Sequence, residues 1–164
     1  EERAAHLHAF IDGYAHFAKL PKPRVATVQW REFLRRLTDT VEFEPDVDGL
    51  PDDARFDAAQ LEQVLINLVK NAHESGSPAA EVRLRIRAQA RGILMQVEDR
   101  GCGMSEDVLQ QALLPFYSTK AAGTGLGLTV SREIIEAHGG RLNVSNREGG
   151  GLVVSLWLPQ TNEE

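Results

Sequence analysis

Asp57-Ala-Ala-Gln-Leu61-Glu-Gln-Val64-Leu65-Ile-Asn67-Leu68-Val69-Lys70-Asn71-Ala-His-Glu74-Ser-Gly76 is the stretch on which the reading of this chain turns. Leu61, Val64, Leu65, Leu68 and Val69 recur at helical spacing and form an inward side. Asp57 is a suitable N-cap and Gly76 a suitable stop, so the spacing predicts a helix over 58–75. Asn67 and Asn71 are four apart and share another face. Asn favours neither a helix interior nor an apolar core. Two in register read as a polar strip facing a cavity, with Glu74 on it and Lys70 beside it. A neutral amide oxygen suits Mg²⁺ when phosphates bring the negative charge. The competing reading is a strip that simply faces water.

Working outward, Val82, Leu84, Ile86 and Ala88 alternate with arginines, giving a strand near 81–90. Arg91-Gly92 reads as a turn, and Ile93–Glu98 as the returning strand. Upstream, Val25–Val28 reads as an edge strand and Trp30–Val41 as an amphipathic helix. Glu42–Pro51 reads as a strand stub and loop. Downstream come a short helix near 105–113, a helix over 127–138 stopped by Gly139-Gly140, and a hairpin of 141–146 with 152–158. Helices and hairpins are segregated rather than strictly alternating. That predicts an α+β fold, a two-layer sandwich, over a doubly wound sheet. Residues 3–20 read as one more helix, with Leu7, Phe10, Tyr14 and Phe17 as an apolar seam that needs a partner. Pro21 and Pro23 end it. The expected division is a helical stub over 1–22, a main domain over 23–160 and a tail over 161–164.

A chain of 164 residues, 42% hydrophobic, has enough apolar side chain for one ordinary core. Its net charge is −6, and no basic stripe with interleaved aromatics marks a nucleic-acid surface. Arg83, Arg85 and Arg87 alternate at period two, as the wet face of a strand does. Cys102 is the single cysteine, so no disulfide within the chain and no cysteine-based zinc site can form. It reads as a small filler rather than a nucleophile. Apolar runs are far shorter than the ~18 residues a membrane span needs. The expected location is cytoplasmic, on a fragment whose longer protein could carry a membrane anchor.

Two further stretches carry chemistry. Asp99-Arg100-Gly101-Cys102-Gly103-Met104 follows an apolar strand directly. Its carboxylate can accept from an exocyclic amine such as that of adenine. Its glycines permit positive φ and close approach to a flat base. A plain turn is the competing reading. Gly123-Thr124-Gly125-Leu126-Gly127-Leu128 stands just before a helix, where alternate glycines aim N–H groups at an anion. It matches neither the P-loop nor the dinucleotide fingerprint. Between them, Phe116 reads as an anchor for a lid and Lys120 as a phosphate contact. The bland alternative is satellite core and a solvated lysine.

Taken in order, Asn67-Leu-Val-Lys-Asn71-Ala, Asp99-x-Gly101-x-Gly103, Pro115-Phe116-Tyr-Ser-Thr119-Lys120 and Gly123-Thr124-Gly125-Leu126-Gly127-Leu resemble the N, G1, F and G2 boxes of sensor histidine kinases. These belong to the ATPase group shared with gyrase, a heat-shock chaperone and mismatch-repair proteins. The resemblance covers about residues 25–160, and Phe-Tyr-Ser-Thr-Lys resembles the nitrogen-regulation branch. It implies a mixed sheet covered on one face by helices, with ATP between helices and a lid over 105–124. It implies Mg²⁺ on Asn71, with Asn67 supporting the phosphates, and the adenine amine on Asp99. Gly101 and Gly103 would shape the base site; Gly123, Gly125 and Gly127 would hinge the lid and cradle phosphate. Lys70, Thr119, Thr124 and Leu126 complete the implied nucleotide set. The implied partners are a response regulator and a dimerisation helix bearing the phosphoacceptor. Homodimerisation through the seam of 3–20 is a further expectation.

Two departures stand out. Glu74 occupies the place where many relatives carry Lys or Arg. His6, His8 and His16 have neither the acidic neighbour nor the offset Pro of a phosphoacceptor, and His73 and His138 sit in the main domain. Residues 3–20 therefore resemble the second helix of a dimerisation hairpin without the first. A serine-directed kinase or regulatory module of the same ATPase group is the alternative, and a scaffolding pseudo-enzyme a third reading.

Overall fold

The computed structural model describes residues 21–114 and 127–160. The helix expected over 3–20 and the tail 161–164 lie outside them. The chain begins with β1 (Ala26–Gln29), α1 (Trp30–Thr40), β2 (Glu44–Val47) and β3 (Asp53–Phe56). Then follow α2 (Ala58–Glu74), a turn of 3-10 helix (Ala79–Glu81), β4 (Arg83–Gln89), β5 (Gly92–Glu98) and α3 (Glu106–Gln111). α4 (Gly127–Ala137), β6 (Arg141–Asn146) and β7 (Leu152–Pro159) complete it. The main sheet has the order β2-β4-β5-β7-β6, with β2 parallel to β4 and the other pairs antiparallel. This is the expected mixed α+β sandwich.

Period-two alternation divides the sheet into a dry and a wet face. Leu84, Ile86, Ile93, Met95, Val97, Leu156 and Leu158 enter one core with Leu37 of α1, Leu61, Leu65 and Leu68 of α2, and Ile134 and Ile135 of α4. The side of α2 that the leucine spacing marked as inward is the buried one.

The sequence reading missed β3. Asp53-Ala54-Arg55-Phe56 is short and half charged, with no signal of its own. It is a strand because it pairs with β1 and drops Ala54 and Phe56 into the core. Phe56 is fully buried, with ring centroids 5.3 Å from Trp30 and 5.2 Å from Phe33. Directly after it, Asp57 caps α2 by accepting from the Gln60 N–H at 3.1 Å. The Asp57 N–H donates to His138 Nε2 at 3.1 Å, which ties the start of α2 to the end of α4.

On the wet face Arg85 and Arg87 have partners rather than water alone. Asp46 of β2 receives Arg87 at 2.8 Å and Arg85 at 3.1 Å, fastening the edge strand to β4. The hydrogen bond from Arg87 leads; it outweighs the opposing desolvation, and with Arg85 it holds the Asp46 carboxyl below its ordinary value. The β4–β5 turn also differs from expectation. Gly92 belongs to β5, opposite Gln89, and the two turn residues are Ala90 and Arg91, with φ of 50° and 60°. The right-handed twist of a two-residue hairpin demands positive φ at both positions. L side chains tolerate it at a cost of roughly 1 kcal/mol each.

Replacing this turn with Asn-Gly (Ala90→Asn with Arg91→Gly) is expected to raise the unfolding free energy by about 1 kcal/mol in a urea titration. No gain would mean that the turn is unstrained. For Asp46, a folded pKa below the unfolded value means stability present above about pH 4 and lost as pH falls through the folded value. Asp46→Asn should therefore flatten the acid limb of the stability curve. Parallel acid limbs for the two chains would remove Asp46 from it.

Candidate functional site

The exposed side of α2 runs Gln63, Asn67, Lys70, Asn71 and Glu74, at the helical spacing that puts all five on one face. Asn67 and Asn71 are half-buried, whereas Lys70 and Glu74 are exposed. The Asn67 side chain is enclosed at Nδ2, and no acceptor reaches that atom among the described residues. Beside it stands the first residue of α4. A Cβ added to Gly127 would lie 2.9 Å from Asn67 Nδ2. The glycine-rich motif thus meets the asparagine helix at its last glycine, where any larger residue would press on the amide.

The second motif reaches the same helix at its other end. Asp99 follows β5 and is 3% exposed. A carboxylate at that depth needs donors. Its Oδ1 accepts from the Gly101 N–H at 2.9 Å and the Leu152 N–H at 3.2 Å. Charge-assisted bonds of this kind satisfy one oxygen fully. Among the described residues no donor reaches Oδ2. The loop then touches the end of α2. The Cys102 N–H donates to the Ser75 carbonyl at 3.1 Å, and the Arg100 N–H donates to Ser77 Oγ at 2.9 Å. A Cβ on Gly101 would fall 2.0 Å from Ser75 Oγ, so this contact tolerates only glycine. Gly103 has φ +66°, the left-handed region.

Of the residues singled out from the sequence, Asn67, Lys70 and Asn71 share one face of α2, Gly127 meets Asn67, and the loop of Asp99, Gly101 and Gly103 meets Ser75 and Ser77 just past the helix end. Phe116, Thr119, Lys120, Gly123, Thr124, Gly125 and Leu126 lie outside the described residues, as does the second half of the expected lid. Its first part is α3, whose cap Ser105 accepts from the Val108 N–H at 3.2 Å. Cys102 corrects the filler reading. It is exposed, with its Sγ 3.5 Å from the Gly103 carbonyl, because the loop crosses the end of α2 at the surface. Ser75, Ser77 and the Leu152 N–H were not legible in the sequence. They act on the loop across long chain separations, Ser75 and Leu152 through backbone groups and Ser77 through a common hydroxyl. Among the described residues no cluster of three His, Cys, Asp or Glu side chains gathers as a metal cage would require, and no helix is long and apolar enough to cross a membrane.

Comparison with known proteins agrees with this geometry. Residues 56–162 match the family described as histidine kinase-, DNA gyrase B-, and HSP90-like ATPase. The chain is 38% identical to the sensor histidine kinase ZraS of Escherichia coli K12 over 112 residues, covering 68% of this chain and 24% of that protein. It is 30% identical to an NtrY-like sensor histidine kinase of Rickettsia bellii over 157 residues, covering 89% of this chain and 25% of that one. The chain therefore spans about a quarter of the length of these relatives. The catalytic domain of the histidine kinase ThkA superposes with a TM-score of 0.74 at 28% identity, over 84% of this chain and 97% of that one. An asparagine helix, an Asp-Gly loop and a glycine-started helix assembled on this mixed sheet, matched over most of their length, place the chain in the histidine kinase-, DNA gyrase B- and HSP90-like ATPase family.

Proposed function

We propose that this domain holds ATP with Mg²⁺ and donates the γ-phosphoryl group to a protein histidine, as the catalytic part of a two-component sensor kinase. The observation that carries the reading is the buried carboxylate of Asp99. One of its oxygens is saturated by backbone donors, and the other is left without a donor among the described residues, at a loop fastened to the Asn67–Asn71 helix. A carboxylate held by backbone donors at one oxygen keeps the other to accept from a ligand that brings an N–H group, and the exocyclic amine of adenine is such a donor. Gly101 and Gly103 keep side chains away from the plane of the base.

The phosphates extend along α2 toward α4. Asn67 meets the start of α4, whose N-terminal N–H groups favour negative charge. Asn71 supplies a half-buried amide oxygen on the same face. This fits Mg²⁺ in a phosphate complex, which takes one or two protein ligands and fills its remaining positions with phosphate oxygens and water. Bound there, the ion neutralises phosphate charge. Lys70, on the same strip, is placed to do part of the work of the cation that Glu74 replaces; Lys120, Thr119 and Thr124 would act from the lid, with Phe116 as its anchor. The chain itself positions and excludes water, which is most of what phosphoryl transfer asks of a protein. In the transfer, the bond from the γ-phosphorus to the ADP oxygen breaks and a phosphorus–nitrogen bond to an imidazole forms. His6, His8 and His16 lack the acceptor pattern, and His73, although Glu74 and Pro78 follow it, lies in the last turn of α2 with its Nε2 2.6 Å from the Glu42 carbonyl, so the acceptor is another histidine. A response regulator would then take the phosphoryl group from it. The relatives named above are sensor kinases, which speaks against the serine-directed alternative.

Calorimetric titration of ATP tests the metal and base assignments separately. Asn71→Ala should abolish the Mg²⁺-dependent part of the affinity, and unchanged affinity would remove Asn71 as the ligand. Asp99→Asn should weaken ATP by about 2 kcal/mol, roughly thirtyfold, because a charge-assisted bond to the amine is lost. Incubation of the chain with labelled ATP should give no acid-labile phosphoprotein band. A strong band would show that one of its own histidines accepts.

A further inference from the structure

The loop Asp99–Met104 is gripped along its length by the turn between β6 and β7. At its start the Asp99 N–H donates to the Leu152 carbonyl at 3.0 Å, and the Leu152 N–H donates back to Asp99 Oδ1. In the middle, Arg100 Nη1 donates to the carbonyls of Glu148 at 2.9 Å and Gly150 at 3.0 Å. At the far end, the side-chain amide of Asn146 closes a two-way bridge on Met104. The Met104 N–H donates to Asn146 Oδ1 at 2.9 Å, and Asn146 Nδ2 donates to the Met104 carbonyl at 2.6 Å. A Cβ on Gly103 would stand 2.8 Å from that Oδ1, so the bridge also requires the glycine.

Arg147 acts from behind. Its Nη1 donates to the Asp99 carbonyl at 3.1 Å, and its Nη2 pairs with Glu98 Oε2 at 3.5 Å. Successive strand residues face opposite ways, so Glu98 lies on the helix-free face and Asp99 on the site face. Glu98 pairs in turn with Arg85, and Arg85 with Asp46. The Asp99 peptide is therefore the end of a charge ladder that crosses the sheet from its edge strand. Side chains 7% and 18% exposed give up much hydration to form the Glu98–Arg147 pair, so such a pair is a poor source of plain stability. What it does secure is geometry.

We propose that Arg147 and Asn146 are positioning residues that set the purine preference of the site. This rests on the reading of Asp99 as the acceptor for the adenine amine. Arg147 fixes the peptide from which the carboxylate springs, and Asn146 fixes the exit of the loop across the base site. A hydrogen bond weakens steeply outside its narrow window of distance and angle, so a loop freed at either end loses the amine contact first.

The test compares ATP with purine riboside triphosphate, which lacks the exocyclic amine. Both are titrated in Mg²⁺ by calorimetry against the whole chain and against Arg147→Gln, Arg147→Lys, Asn146→Asp and Asp99→Asn. Asn146→Asp keeps the acceptor for the Met104 N–H and loses the donor to its carbonyl. The unsubstituted chain should prefer ATP, and Asp99→Asn should erase the preference. Arg147→Gln and Asn146→Asp should each cut it about tenfold through ATP alone, with purine riboside triphosphate bound as before. Arg147→Lys, which retains a cationic donor, should recover part of it. Equal losses for both nucleotides, or an unaltered preference in the Arg147 and Asn146 variants, would overturn the proposal while leaving Asp99 in its role. No preference in the unsubstituted chain would overturn the reading of Asp99 and the proposal with it. Should Arg147→Gln fail to fold, Arg147→Lys and Asn146→Asp decide the matter on the same ratio.

Discussion

A carboxylate at the end of a central strand, almost wholly removed from water, needs donors that replace its hydration. At Asp99 the replacement is backbone N–H from Gly101 and Leu152, two groups brought together by the pairing of β5 with β7. That constraint organises its surroundings. The loop must curl back within two residues to offer the Gly101 N–H, and this brings it against the end of α2, where Ser75 leaves no room for a side chain. The turn before β7 must also come near, and it does so with Leu152, Asn146 and Arg147. One buried charge thus accounts for glycines, serines and a turn scattered over the second half of the chain.

α2 serves the core and the site at once. Its leucines and valines bury against the sheet, and burial of this kind is the main favourable term in folding. The opposite face is then fixed in azimuth, and Asn67 and Asn71 cannot turn away from the region bordered by α4 and the Asp99 loop. Precision at the polar strip is a by-product of tight apolar packing, which is why a helix rather than a loop carries it. Both ends are fastened as well. Asp57 caps the first turn and is tied to α4 by His138, while Ser75 and Ser77 hold the loop after β5.

The two faces of the main sheet carry different physics. The helix-covered face is apolar and follows from alternation alone. The open face carries Asp46, Arg85, Glu98 and Arg147 in alternating sign, with Arg87 also on Asp46, and from sequence Arg85 and Arg87 read simply as wet. Their ladder was out of reach because Asp46 and Arg147 lie far from Glu98 in the chain. β3 was missed for a related reason. Four residues with two charges have no periodicity to detect, and only the aromatic contacts of Phe56 with Trp30 and Phe33 make them a strand.

What the residues determined unaided was whatever depends on short-range order. Helical spacing marked the buried side of α2 and the face shared by Asn67 and Asn71, alternation marked β4 and β5, and Asp57 and Gly76 marked where the helix begins and ends. The Asp-Gly motif stood out by directly following an apolar strand; a plain turn can carry the same residues, and it was the order of the motifs together that set the reading. Tertiary structure alone decided that Ser75 should meet Gly101, that Gly127 should abut Asn67, and that Asn146 and Arg147 should hold the loop of Asp99. Each of these joins residues dozens of positions apart through a backbone group or a common polar side chain. No local pattern encodes such a meeting; it exists only once sheet register and helix packing have brought the distant segments to hydrogen-bond distance.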